Sequence, residues 1–101
     1  MGGILFRVHK SYRLVIAVCD EDVFGRKLEE GIKALDVSGD FFKGELMSET
    51  EVRREIVRYN KEDATFNFVG EKSVGVAKSL GLVKDEGVIE IGGVLVALVL
   101  L

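Results

Sequence analysis

At Gly70 the period of the apolar residues changes, and this change constrains the fold more than any other feature of the chain. Before it, Thr65-Phe66-Asn67-Phe68-Val69 is rich in aromatic and β-branched residues, which suit a pleated, half-buried strand. After it, Val76, Ala77 and Leu80 follow Val69 at helical spacing with Ser73 among them, and Gly81 is the expected C-terminal stop. Residues 88–91 read as a second strand. Residues 64–94 are therefore a strand, a helix, a turn and a strand. They contain no recognisable catalytic set.

The chain before this unit is predicted to be mostly β. Residues 3–9 and 13–19 form a hairpin around Ser11-Tyr12, pairing Lys10 with Arg13, Phe6 with Ala17 and Ile4 with Cys19. One face of that hairpin carries Ile4, Phe6, Val8, Val15, Ala17 and Cys19, and the other carries Arg7 and His9 beside Leu14 and Ile16. Asp20 is placed to cap a short helical turn that stops at Gly25. Residues 26–30 and 32–37 form a second hairpin across Gly31, and residues 38–44 form a turn holding Phe41 and Phe42. Ser48 and Glu51 have the capping-box spacing, so a helix is expected from there to about Asn60, with Val52, Ile56 and Tyr59 on its apolar stripe. Residues 94–101 are a continuous apolar run, which suits a strand buried on both faces or a contact between two copies. Two hairpins before two helices argue against a βαβ repeat. The expected fold is α+β: a two-layer sandwich, mostly antiparallel, with two main helices on one face.

Composition bounds the function classes. A chain of 101 residues, 48% hydrophobic and 31% charged, is expected to be a single globular domain over residues 1–101. No stretch reaches the ~20 apolar residues of a membrane helix, and the first residues lack a signal-like leader, so a cytoplasmic protein without a membrane partner is expected. One cysteine cannot form an internal disulfide, which fits a reducing compartment. A net charge of −3 gives no global attraction to nucleic acid, so any such contact must be local. Gln is absent, Asn occurs only at positions 60 and 67, and Lys, Arg and Glu are plentiful, as in thermophile proteins, although the absent prolines are not.

Four short motifs occur in order: Val18-Cys19-Asp20, Phe41-Phe42-Lys43-Gly44, Asn67-Phe68-Val69-Gly70-Glu71 and Ile91-Gly92-Gly93-Val94. Together they resemble the archaeal domain of unknown function family four hundred and twenty-four over nearly the whole chain. The resemblance implies a small archaeal cytosolic protein of two-layer α+β type. It implies no activity, and only a suspected link to translation or RNA. In the family pattern Gly-Val is followed by Pro-His-Ala-Gln. Here the matching residues are Leu95, Val96, Ala97 and Leu98, and only the alanine agrees. If that polar tail carries the family's function, this chain has lost or altered it.

Each candidate site has a plainer reading beside it. Cys19 next to Asp20 is a possible thiol nucleophile, but the one histidine, His9, lies near the hairpin turn, roughly 16 Å from Cys19 at the open end. A buried core cysteine is the preferred reading. Asp20, Glu21 and Asp22 suit capping better than a metal, since no calcium-loop pattern accompanies them and the chain has too few soft ligands for zinc. No metal or cofactor is expected. Gly70-Glu-Lys-Ser fails the phosphate-loop pattern, yet Gly70, Lys72 and Ser73 at a strand-to-helix junction form a possible anion site. Arg54, Arg58 and Lys61, with Arg53 at the flank, lie opposite the apolar stripe of the Ser48 helix and form the one clustered basic surface that the sequence implies. The expected function is a non-catalytic binding module contacting RNA or a ribonucleoprotein. A homo-oligomeric assembly protein using residues 94–101 and a thiol enzyme using Cys19 and Asp20 are the alternatives.

Overall fold

The computed structural model describes residues 2–100. Met1 and Leu101, which fall within the leader and C-terminal expectations, lie outside the described residues. The strands are β1 (Ile4–Lys10), β2 (Leu14–Asp20), β3 (Lys27–Glu30), β4 (Lys33–Asp36), β5 (Glu45–Met47), β6 (Thr65–Val69), β7 (Val88–Ile91) and β8 (Val94–Val99). The helices are α1 (Glu49–Asn60) and α2 (Glu71–Ser79), and a single 3₁₀ turn (Asp85–Gly87) precedes β7. Six strands form one sheet in the order β5-β1-β2-β6-β8-β7, while β3 and β4 pair separately. Every neighbouring pair is antiparallel except β2 and β6. The α+β class, the mostly antiparallel sheet and the two helices agree with the sequence reading.

The two-layer expectation is corrected, because both faces of the large sheet are covered. Val52, Ile56 and Tyr59 of α1 and Val74, Val76 and Ala77 of α2 pack on Phe6, Ile16, Phe66 and Phe68. On the other face, Leu28, Val37, Phe42 and Val23 pack on Ala17, Cys19, Val69 and Val96. The physical reason lies in β2 and β8. Each is apolar on both faces, so helices on one side leave an apolar surface that the β3–β4 hairpin must bury. Fully burying a side chain such as Phe66 or Phe68, each with no exposed surface, contributes about 1.5–3 kcal/mol.

The first hairpin differs from expectation by one residue. Ile4 faces Asp20, Phe6 faces Val18 and Lys10 faces Leu14, so the loop holds Ser11, Tyr12 and Arg13. The slip exchanges the faces of β2. Ile16 and Val18 join Ile4 and Phe6 under the helices, and Ala17 and Cys19 turn to the other core. The second hairpin turns through Gly31 and Ile32, with Gly31 at φ 62, between slightly shorter strands than expected. Strand β8 pairs with β6 on one side and β7 on the other, so the apolar C-terminal run is an interior strand. Helix α1 begins where the capping box placed it. Glu51 N–H donates to Ser48 Oγ and Ser48 N–H donates to Glu51 Oε1.

Candidate functional site

The parallel pair β2–β6 brings two strand ends together, Asp20 and Val69-Gly70, beneath the first turn of α2. Gly70 has φ 109, a conformation that L side chains rarely adopt. Its N–H donates to Leu95 O at 2.8 Å, and its carbonyl accepts from Val74 N–H at 2.9 Å. Asp20, only 3% exposed, sends its carboxylate into the helix end. Oδ2 accepts from Lys72 N–H at 2.9 Å, and Oδ1 accepts from Ser73 N–H at 2.8 Å and from Ser73 Oγ at 2.7 Å. Asp20 is thus a cap, but for α2 and not for the turn beside it. Its carbonyl serves that turn, accepting from Val23 N–H and Phe24 N–H.

The predicted anion site at Gly70, Lys72 and Ser73 therefore holds the chain's own anion. The donors that an external phosphate would use are given to Asp20, and Lys72 Nζ donates to Gly2 O at 2.6 Å. A cleft of ≈ 720 Å³ opens beside this junction. Arg26, Arg53 and Lys72 line it together with Asp20, Asp22, Glu49 and Glu71, so it carries no excess of positive charge for an anion. Among the described residues no group of His, Cys, Asp and Glu has a metal-holding arrangement.

Cys19 has no exposed surface and donates its thiol to Asp20 O at 3.3 Å. Burial, with Asp20 and Asp22 nearby, pushes its pKa up to about 12, opposite to the shift a nucleophilic thiol requires. His9 pairs with Val15 while Cys19 pairs with Leu5, which leaves them four ladder positions apart, roughly 13 Å. The corrected register shortens the expected separation without making a dyad.

The basic stripe is divided. Arg53 turns toward α2, bonding Ser79 Oγ and pairing with Glu49 at 3.0 Å. Arg58 pairs with Glu55 at 3.3 Å and lies 5.2 Å over the Tyr59 ring. Arg54 and Lys61 are exposed and make no ion pair among the described residues.

Sequence reasoning missed a groove of ≈ 410 Å³ on the sheet face away from the helices. Phe42, Ile89 and Leu98 line it, with Asn67 as the one polar side chain. Its signal in the sequence is the amide set within the apolar strand Thr65–Val69.

A family model described as "Protein of unknown function (DUF424)" matches residues 8–100. The chain belongs to this family. No curated protein matches it. Among solved structures, an uncharacterized conserved protein from Methanopyrus kandleri is 27% identical with a TM-score of 0.84, covering 96% of this chain and 91% of that one. The fold is thereby shared with that protein over nearly the full length of both chains. Leu95, Val96, Ala97 and Leu98, the residues expected to replace a polar tail, fall on β8. There Val96 is buried, and Leu98 is exposed at the rim of the Asn67 groove.

Proposed function

We propose that this DUF424 protein is a non-catalytic binding module that contacts RNA or a ribonucleoprotein through the outer face of α1. One observation carries the reading: Arg54, Arg58 and Lys61 are all exposed, while the residues that anchor the helix, Val52, Ile56 and Tyr59, are buried on its other side. Arg54 and Lys61 make no ion pair among the described residues, and the exposed Arg58–Glu55 pair is one that a phosphate can replace. Three phosphate contacts on a single strand correspond to a salt slope of about −2, so the affinity is modest unless stacking adds to it. A thiol enzyme has no support, since Cys19 is sealed in the core.

The test is charge reversal of Arg54 and Arg58 to Glu, followed by recovery of RNA with the protein from cells. Loss of RNA with an unchanged fold is expected. RNA recovery that survives the reversal with the same salt dependence would sink this use of α1. Self-association is the second reading, supported by exposed Leu98 and Leu100 at the end of the 94–101 segment, and sedimentation at rising concentration tests it.

A further inference from the structure

The first acidic residue in the sequence is Asp20, while Arg7, His9, Lys10 and Arg13 all precede it. The β1–β2 hairpin gathers these groups at the end of the sheet farthest from Asp20. The loop before β5 is bound onto the same strand. Arg7 Nη1 donates to Lys43 O at 2.9 Å, and His9 Nε2 lies 2.9 Å from Phe41 O. The imidazole stacks on the Phe41 ring, with centroids 4.6 Å apart and planes 7° from parallel. Phe42 stands nearly perpendicular to Phe41 at 5.0 Å and is buried, which anchors the loop. Phe41 itself stays 39% exposed.

Arg7, Lys10, Arg13 and Lys43 make no ion pair among the described residues, unlike Arg53 and Arg58 of α1. Asp40 and Glu45 share a cleft with Arg7 and Lys43, and Glu55 in the same cleft is engaged by Arg58. A rigid aromatic stack among unpaired cations is what an unpaired nucleic-acid strand uses, with bases on the rings and phosphates on the cations.

We propose that this surface, the His9–Phe41 stack with Arg7, Lys10, Arg13 and Lys43, binds single-stranded RNA. Phe41 carries a base, and the cations hold the flanking phosphates. The inference rests on the reading of RNA as the partner and assigns it a second contact region, with Arg7 and His9 on the opposite side of β1 from Phe6 and Val8, and Lys10 and Arg13 at the hairpin end. A duplex offers no free base face to Phe41, so an unpaired strand is the required form.

The chain has no tryptophan, so Phe41→Trp in the full-length protein supplies a single indole. It is titrated with a uridine oligomer of about ten nucleotides and with an abasic oligomer of equal length and charge. Quenching by the uridine oligomer alone is expected, with affinity for the abasic oligomer about tenfold or more weaker. Lys10→Glu with Arg13→Glu is expected to reduce the steepness of the salt dependence by about 1.4, the value for two single-strand phosphate contacts. Equal quenching by both oligomers, or an unaltered salt slope in the double variant, overturns the proposal. Uridine-oligomer binding that leaves the indole unquenched and is abolished by reversing Arg54 and Arg58 overturns it too, while the α1 reading stands. No binding even at low salt overturns both. Quenching by polyglutamate but not by the uridine oligomer overturns it in favour of an acidic protein partner.

Discussion

The Asp20 carboxylate occupies the space in which a side chain at residue 70 would begin: a Cβ on Gly70 would stand 2.3 Å from Asp20 Cγ. The glycine and the aspartate are thus one device. Gly70 supplies both the positive φ and the room, and Asp20 satisfies three donors at the start of α2.

Gly70→Ala is therefore expected to destabilise the fold by at least about 3 kcal/mol, combining backbone strain with a clash against a buried group. Asp20→Ala is expected to cost about 2–4 kcal/mol through the lost cap and the orphaned Ser73 hydroxyl. Asp20→Asn is not conservative, because one amide nitrogen must then face an N–H donor. Urea unfolding of the three variants checks this. A Gly70→Ala protein as stable as the parent would show that the strand ends can separate freely.

Cys19 makes stability fall at high pH. Its pKa rises from an ordinary 9.0 to about 12 in the folded chain. Below pH 9 the thiol is neutral whether folded or unfolded, so it contributes no pH dependence. Between about 9 and 12 the unfolded chain loses the proton and the folded chain keeps it, so the unfolded state gains and stability declines. The decline is on the order of 1 kcal/mol per pH unit. Cys19→Ala removes it, and the difference between the two proteins isolates it from the titration of lysines. The native thiol is also expected to resist a small thiol reagent until the chain unfolds. Rapid stoichiometric labelling of the folded protein would contradict the burial.

What could be read from the sequence follows from how local each signal is. Ser48 and Glu51 meet within one helical turn, so their box was legible, as was the change of period at Gly70. The fully apolar run of β8 left two readings, an interior strand or a contact between copies, and its pairing on both sides agrees with the first. The hairpin register was not legible, because Leu14, Ile16 and Val18 are as apolar as Val15, Ala17 and Cys19, and alternation cannot choose between equivalent faces. Nor was the partner of Asp20 legible. A carboxylate at a strand end suits the next turn, whereas its donors lie at residues 72 and 73 and meet it only through the parallel pairing of β2 with β6. The cations at 7, 10, 13 and 43 likewise converge only once the loop before β5 is bound onto β1.

Ser48→Ala is expected to cost about 1 kcal/mol, since it removes the acceptor for Glu51 N–H. The partner carboxylate reports the same loss by titration. Ser48 holds the Glu51 pKa below the usual carboxylate range, first through its backbone N–H and then through its hydroxyl. In Ser48→Ala the Glu51 pKa should rise only part of the way, because the backbone donor remains. Carbon-detected titration of the Glu51 carboxyl checks it, and an unmoved pKa would mean that the hydroxyl contributes nothing.

Removing residues 98–101 tests the role of the C-terminal run. Leu98 pairs with Asn67 and Val99 with Phe66, so the deletion strips the end of β6 of its partner on one side. Phe66 is fully buried and lies 5.6 Å from Phe68 in a stacked pair, so opening its ladder admits water to the centre of the helical core. Buried backbone groups on β6 would also lose their bonds, at about 1–3 kcal/mol for each left unsatisfied. The truncated chain is therefore expected to melt at a markedly lower temperature and to aggregate, as an uncovered apolar strand edge does. Leu98→Ser separates this from any contact between copies. It leaves the β8 backbone intact and changes an exposed side chain, so it should leave the melting temperature near that of the parent while weakening association, if copies associate there. A truncated protein that melts with the parent would show that β8 ends, in effect, at Ala97.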